Sequence, residues 1–195
     1  MKDGFTIPNF TITEKPTIKM CNIQKDLSKL QCRDFYWALT EHLVCPPTSK
    51  AKWIEKYSLN YDDITWKFIY SLPHTMPITT YLQSLQFKIL HRIFPCDSYL
   101  SQIGKKESNI CLHCNNNAVD TIAHYFYACT PVNALWQSIY NVFFDIFNVR
   151  INIGCMDILF GIVNLNDDHI LNVINYTILQ AKCYVYECKK ENSII

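Results

Sequence analysis

Glycine is scarce in this chain, at four of 195 residues. Two-residue hairpin loops and glycine-rich phosphate loops need backbone angles that few other residues adopt. The composition therefore argues against both features and favours helices. Hydrophobic residues make up 49% of the sequence, which is enough apolar material for a folded core.

Net charge and long apolar runs are also lacking. Eighteen Lys and Arg against seventeen Asp and Glu leave a formal charge of +1, which excludes a polybasic arm or an acidic tail as the organising feature. Gln137, Asn141 and Asp145 interrupt the richest apolar run, so no segment reaches the roughly 18–20 apolar residues of a membrane helix. We therefore expect no membrane association, and any contact with nucleic acid must be local.

The N-terminal residues lack the basic and then apolar pattern of a secretory signal. Ten cysteines would suit a disulfide scaffold, but an apolar chain of this length does not need disulfides to fold. We therefore expect reduced cysteines and an intracellular compartment, cytoplasmic or nuclear.

The clearest helical pattern lies at residues 78–94, where leucine and isoleucine recur every three or four positions until Pro95. A second helix is predicted over residues 132–147, because a threonine cap and a proline at the first helical position precede it. Its apolar stripe predicts that Val142 and Ile146 face the core.

A last helix is predicted over residues 169–190, with Asn175, Lys182 and Lys189 on its exposed side. Residues 148–168 contain two glycines and several Asn and Asp. They are therefore predicted to form a strand-like piece and turns.

The upstream patterns are weaker. Residues 23–44 show an imperfect helical stripe, and a short helix is predicted from Ser49 to Tyr57. Another helix is predicted over residues 64–71, and the following Pro73 is expected to end it.

One cluster of cysteine and histidine has metal-ligand spacing. Cys111, Cys114, His124 and Cys129 form the pattern Cys-x2-Cys-x9-His-x4-Cys. Two thiolates on one turn can reach a single ion, and a second pair at the ends of one helical segment can complete a tetrahedron. Three Cys and one His form a closed set, whereas catalytic zinc keeps an open position. The spacing therefore predicts one structural Zn²⁺.

Other interpretations of this cluster stay open. Its four residues can be ordinary buried side chains, because free cysteine behaves as a small hydrophobe, or two of them can form a disulfide. His113 is a competing ligand, and Cys96 is the nearest substitute outside the cluster.

Further residues accompany the cluster in a recognisable order. In chain order they are Trp53, Trp66, residues 82–94 (Leu-Gln-Ser-Leu-Gln-Phe-Lys-Ile-Leu-His-Arg-Ile-Phe), the cluster, Trp136, residues 157–161 and a helix ending near Cys188. This arrangement resembles the zinc-binding domain that follows the polymerase in LINE-type (non-long-terminal-repeat) retrotransposon reverse transcriptases. The resemblance covers about residues 35–190.

The resemblance implies a mainly helical domain with a structural zinc ion, and an auxiliary role in holding the RNA template or the target DNA. Carried over by position, its ligands are Cys111, Cys114, His124 and Cys129. A reverse transcriptase core is the implied protein partner, and the chain is expected to be a detached C-terminal piece of a longer, element-encoded protein. We expect no small-molecule substrate.

Catalytic carboxylates of a polymerase or an endonuclease are not found. A polymerase needs an aromatic-x-Asp-Asp hairpin, and Asp62 and Asp63 do not fit it, because the aromatic would have to stand at Asn60. Asp62 or Asp63 is instead predicted to cap a helix. We therefore expect no enzyme activity.

Charge is unevenly distributed along the chain. Residues 65–110 hold five basic and two acidic residues, whereas residues 111–181 hold one basic and five acidic residues. The candidate phosphate contacts in the positive stretch are Lys88, His91, Arg92, Lys105 and Lys106, the first three on one helical face. The alternative is a solvated polar face on a structural or protein-docking helical domain that binds no nucleic acid itself.

These patterns predict a mainly α fold, an irregular helical domain organised around one structural zinc site, with an extended N-terminal arm. The predicted divisions are an arm at residues 1–30, the helical zinc-binding domain at 31–147, and an extension with a long helix at 148–195.

Overall fold

The structure, a computed structural model, describes residues 17–20, 23–26, 29–40, 45, 47–75, 79–148, 153–163, 168–193 and 195. The described residues are mainly helical, which confirms the predicted fold class. They fall into two compact units, divided between Pro46 and Pro47. The predicted divisions at residues 30 and 147 stay predictions.

The first unit contains two short antiparallel strands, β1 (Thr17–Met20) and β2 (Ile23–Asp26), followed by helix α1 (Cys32–Thr40). Extended backbone here agrees with the predicted arm, of which residues 1–16, 21, 22, 27 and 28 lie outside the described part. The expectation from scarce glycine that tight hairpins are absent is wrong here, because Met20 pairs with Ile23. The predicted helix over residues 23–44 is wrong at its start. Pairing with β1 stabilises an extended segment there, and helical periodicity carries no information about that pairing.

The second unit contains, among its described residues, seven α-helices and one π-helical turn. In chain order they are α2 (Thr48–Tyr57), α3 (Asp63–Thr75), α4 (Thr80–Leu90), α5 (Asp97–Gln102), the π-helical turn (His124–Ala128), α6 (Thr130–Phe147), α7 (Cys155–Phe160) and α8 (Asp168–Glu191). No helix in the described part of the chain is both long enough and apolar enough to cross a membrane.

Helix α3 begins as predicted and ends later. The Thr65 N–H donates to Asp62 Oδ1 at 2.8 Å, so the predicted aspartate cap is confirmed. The helix then continues through the buried Pro73 to Thr75. Proline lacks one helical hydrogen bond and crowds the carbonyl four residues earlier, and the helix extends only two residues beyond it.

Helix α4 ends at Leu90, four residues earlier than predicted, in a Schellman motif. The Arg92 N–H donates to the Ile89 carbonyl and the Ile93 N–H to the Lys88 carbonyl, both at 3.0 Å. Arg92 has a φ of 58°, in the left-handed region where glycine is usual. Arg92 therefore leaves the helical face on which it was predicted.

Residues 155–160 form α7 instead of the predicted strand-like piece. The Gly154 N–H donates to Asp157 Oδ2 at 2.8 Å, which fixes the first turn. Gly161, with a φ of 92°, ends the helix. The last three residues of α7 are buried, so tertiary packing stabilises a helix too short to persist alone.

Buried tryptophans connect the helices of the second unit. Trp53 and Trp66 both contact the ring of Phe160, at centroid distances of 5.2 and 5.7 Å. The indole N–H of Trp53 donates to the Leu90 carbonyl at 2.9 Å, which joins α2 to the end of α4. The tryptophans that carry part of the resemblance therefore have a structural role in this fold.

Five side chains of α6 and α8 lie on the opposite side from the one predicted. Asn175, Lys182 and Lys189 of α8 are buried, at 2–5% exposure, although they were predicted to face solvent. Val142 and Ile146 of α6, predicted in the core, are 51% and 67% exposed. Polar groups can be buried when they find hydrogen-bond partners, and an apolar stripe is covered only where another element lies against it.

Candidate metal centre

The first two cysteines of the cluster lie on a loop closed by a single antiparallel bridge. Ile110 pairs with Val119, and the Cys111 N–H donates to the Ala118 carbonyl at 2.9 Å. This pairing closes the loop at its base, so Cys111 and Cys114 lie on the same closed loop.

The second pair lies at the two ends of the π-helical turn. The Cys129 N–H donates to the His124 carbonyl at 3.0 Å, the i to i+5 bond of a π-helix. Thr121 Oγ1 accepts the His124 N–H at 3.2 Å and thereby caps this segment. The wide turn explains how two ligands five residues apart can reach one point.

The four predicted ligands converge. Their ligand atoms all lie within 4.8 Å of one another. Cys111 Sγ lies 3.9 Å from Cys129 Sγ, and Cys114 Sγ lies 3.4 Å from His124 Nε2. Zinc–ligand bond lengths of about 2.3 Å to sulfur and 2.0 Å to nitrogen correspond to tetrahedral edges of about 3.8 and 3.5 Å. The donor set therefore fits the tetrahedron of one metal ion, which these four residues can hold.

The spacing of the sulfurs also bears on the disulfide interpretation. A disulfide needs an S–S distance of about 2.05 Å, well below the 3.9 Å between Cys111 and Cys129. All cysteines at described positions are free, and Cys21 lies outside the described residues.

Burial has the largest single effect on the pKa values of the four candidate ligands. It raises the pKa of the Cys111 thiol to about 12 and raises that of Cys129 as well. Burial also lowers the pKa of His124, which keeps a neutral imidazole available as a ligand. For Cys114, burial raises the pKa, but hydrogen bonds from the Asn116 N–H and the neighbouring thiols outweigh it, and the net direction is downward.

A buried lysine that the sequence analysis assigned to the surface lies beside the cluster. Lys189 Nζ donates to the Tyr125 carbonyl at 3.1 Å, inside the π-helical turn. Its positive charge lowers the pKa values of Cys111 and Cys129 against the larger effect of burial. A signal was present, because Lys189 follows Val185 at the four-residue spacing of the apolar stripe.

A buried carboxylate also borders the site. Asp120 Oδ2 accepts the Asp97 N–H at 3.1 Å, whereas Asp120 Oδ1 has no hydrogen-bond partner among the described residues. Burial raises the pKa of Asp120, and the charges of Lys189 and His124 oppose that rise. One buried carboxyl group, that of Asp120, and one buried amine, that of Lys189, therefore border the ligands.

The two alternative ligands do not join the group. Within the described residues, the set of converging donors contains neither His113 nor Cys96. Cys96 Sγ instead lies 3.4 Å from Ser98 Oγ. Burial lowers the pKa of His113 and raises that of Cys96.

The candidate phosphate contacts are dispersed. Lys88 and Lys105 are exposed, and neither lies within 4.0 Å of a carboxylate in the described part of the chain. Lys106 is paired with Asp97 at 2.6 Å.

The other two candidates are half-buried against aromatic rings. His91 lies between Phe87 and Tyr70, at centroid distances of 4.1 and 5.5 Å, and burial lowers its pKa. The Arg92 guanidinium lies 5.0 Å from the centroid of the Trp53 ring. Lys88, Lys105 and Arg92 are thus the candidates with a charge available to a ligand.

Comparison with known protein families, with curated proteins and with solved structures finds no match to this chain. The family suggested by the residue pattern therefore stays a prediction.

Proposed function

We propose that this chain is a zinc-stabilised nucleic-acid-binding module, of the kind that follows the polymerase in LINE-type retrotransposon reverse transcriptases. The observation that carries the proposal is the convergence of Cys111, Cys114, His124 and Cys129 at tetrahedral spacing. It acts as an auxiliary binding domain and not as an enzyme.

Zinc is the metal that this donor set favours. Three sulfur ligands and one imidazole in a tetrahedron select zinc over magnesium or calcium, which prefer oxygen. Three thiolates around Zn²⁺ carry a net charge of −1, and the ammonium group of the buried Lys189 balances it. A set without an open position is typical of a structural site.

Nucleic acid is the proposed partner because available cations lie near this centre in sequence. Lys88 and Lys105 are exposed and free of ion pairs within the described residues, and Arg92 adds a third charge beside an aromatic ring. Positive groups interleaved with aromatic rings suit the phosphates and bases of a single strand.

Titration with single-stranded RNA and single-stranded DNA at several salt concentrations tests the proposal. Three phosphate contacts predict that log K falls against log salt with a slope of about −2. The double variant Lys88→Ala/Lys105→Ala should weaken binding and flatten that slope. Lys67→Ala, an exposed lysine on α3, is the control and should change neither. Absence of binding at low salt contradicts the proposal.

One observation favours a second candidate function, a domain that docks on another protein. Leu135 and Ile139 of α6 are half-buried, and Val142 and Ile146 continue the same stripe while 51% and 67% exposed. A docking domain without nucleic-acid affinity predicts no binding in the same titration, so that one experiment separates the two candidates.

A further inference from the structure

A partly enclosed cavity of about 320 Å³ lies in the second unit, apart from the metal ligands. Its walls come from the end of α2, from α5 and from four residues just before His124, namely Val119, Thr121, Ile122 and Ala123. Ligand pockets in proteins span about 300–1,000 Å³. The cavity therefore has room for one small molecule or for one unit of a polymer.

The lining of the cavity combines positive charge, aromatic rings and neutral hydrogen-bonding groups. Lys56 and Arg92 supply the charge, Tyr57 and Tyr99 the rings, and Gln102 and Asn109 the amides. No carboxylate lines the cavity within the described part of the chain, so the two cations are not neutralised there. Such a set suits an anion that also carries a planar, polar ring.

The backbone of Arg92 supports a role for its side chain. A left-handed position such as this one, with φ at 58°, costs a side chain about 1–2 kcal/mol that glycine avoids. The Arg92 side chain is nevertheless held in place, because Nη1 donates to the Lys52 carbonyl at 2.8 Å and the guanidinium stacks on Trp53. Strained positions of this kind cluster at ligand sites.

We propose that this cavity binds one nucleotide, with its phosphate at Lys56 and Arg92 and its base against Tyr99 and the amides of Gln102 and Asn109. The inference goes beyond the proposed function, because the cavity shares Arg92 with the proposed nucleic-acid contacts but includes neither Lys88 nor Lys105. The same chemistry is carried by a free nucleotide and by the terminal nucleotide of a single strand, and the experiment distinguishes these two sources.

Calorimetric titration of the full zinc-loaded chain with 5′-AMP, and separately with adenosine, tests the site. Saturable binding of 5′-AMP is expected, and adenosine should bind about tenfold more weakly or worse, because it lacks the phosphate. A twelve-residue oligoadenylate with a 5′-phosphate, compared with the same oligomer without it, tests the strand end as the source.

Two variants locate the binding. Lys56→Ala should weaken 5′-AMP binding about tenfold. Lys52→Ala should leave it unchanged, because the exposed Lys52 side chain does not line the cavity and the backbone carbonyl that accepts from Arg92 is retained. Arg92→Gly should weaken binding similarly without unfolding the chain, because glycine accepts this backbone conformation. Thermal unfolding of each variant verifies the fold.

Each outcome decides between the proposals. Binding of 5′-AMP that Lys56→Ala and Arg92→Gly both weaken, with Lys52→Ala unchanged, supports the cavity as the site. Binding of the oligomer without binding of 5′-AMP overturns the cavity site and leaves the proposed function standing. Binding of 5′-AMP alone supports a site for free nucleotides and contradicts the proposed function. Equal effects of Lys56→Ala and Lys52→Ala overturn the inference.

Discussion

Lys189 donates a hydrogen bond to the carbonyl of Tyr125 at 3.1 Å, and its ammonium nitrogen lies 4.1 Å from the centroid of the Tyr125 ring. The contact joins the last helix to the π-helical turn between two predicted metal ligands, His124 and Cys129. A buried ammonium needs a compensating anion, and the thiolates of the proposed zinc site would supply one.

Replacement of Lys189 by Met should lower zinc affinity by about 10–100-fold, as loss of groups that support metal ligands commonly does. The negative charge of the cluster would then be buried without its partner. Competition with a chromophoric chelator measures the affinity.

Lys190→Met is the matched control for this experiment, because Lys190 is the adjacent residue and is exposed. It should leave the affinity unchanged. The opposite result, a more stable Lys189→Met protein with unaltered zinc binding, would mean that Lys189 is an uncompensated buried charge.

The metal should be present at one zinc ion per folded chain, and removal by a chelator should unfold at least residues 111–129. Cys114→Ser should reduce the zinc content and destabilise the chain severely, whereas Cys183→Ser, at another half-buried cysteine outside the cluster, should do neither. Elemental analysis and circular dichroism give the two readouts. A stoichiometry far below one in folded protein contradicts the site.

Lys182 should make stability depend on pH. Burial lowers its pKa from 10.5 to about 7, so between these values the unfolded chain binds a proton that the folded chain does not. The free energy of unfolding should therefore rise with pH across this window, by on the order of a few kcal/mol.

Lys182→Met should remove this slope. It should stabilise the protein most at neutral pH and below, where the parent protein must either bury a charged ammonium group or unfold. Its partners, the side chain of Gln86 and the carbonyl of Leu159, carry no charge that could compensate it. Denaturant unfolding at several pH values measures the difference. An identical slope in the variant would assign the pH dependence to other groups.

Replacement of Asn175 in α8 should destabilise the protein. Its side chain forms two hydrogen bonds with the backbone of Ile162, accepting from the N–H at 2.7 Å and donating to the carbonyl at 3.0 Å. Asn175→Ala leaves both groups unpaired in the core and should cost about 1–3 kcal/mol or more. Asn172→Ala, on the exposed side of the same helix, should stay within about 0.5 kcal/mol of the parent.

Replacement of Gly161 by alanine should destabilise the protein. A Cβ there would lie 2.5 Å from Leu72 Cδ2, at a φ of 92°, so Gly161→Ala should cost about 2–4 kcal/mol through overpacking and backbone strain together. Gly104 also has a positive φ, but nothing lies within 4 Å of its added Cβ. Gly104→Ala therefore isolates the strain and should cost about 1–2 kcal/mol. Equal losses for both variants would exclude the steric explanation.

Local sequence rules were sufficient for much of the helix pattern. The caps at Asp62 and Thr121 depend on hydrogen bonds within three residues. The helix starts near Ser49 and Thr130 lie within two residues of the predicted positions, although no side chain caps either helix and Thr130, the predicted cap of α6, is itself helical. Because these rules consider only neighbouring residues, they also explain where the predicted helix ends are wrong. Helix α4 ends early because Arg92 adopts a left-handed conformation, which its residue type does not predict.

The identity of the four candidate ligands was determined by the sequence alone, because the spacing of Cys111, Cys114, His124 and Cys129 restricts which side chains can meet on short turns. Tertiary structure decided which polar residues surround them. Lys189 reaches Tyr125 only when α8 lies against the π-helical turn, 64 positions away in the chain. The cavity likewise exists only because α2, α5 and the segment before His124 lie against one another. The periodicity of a single segment carries no information about such contacts.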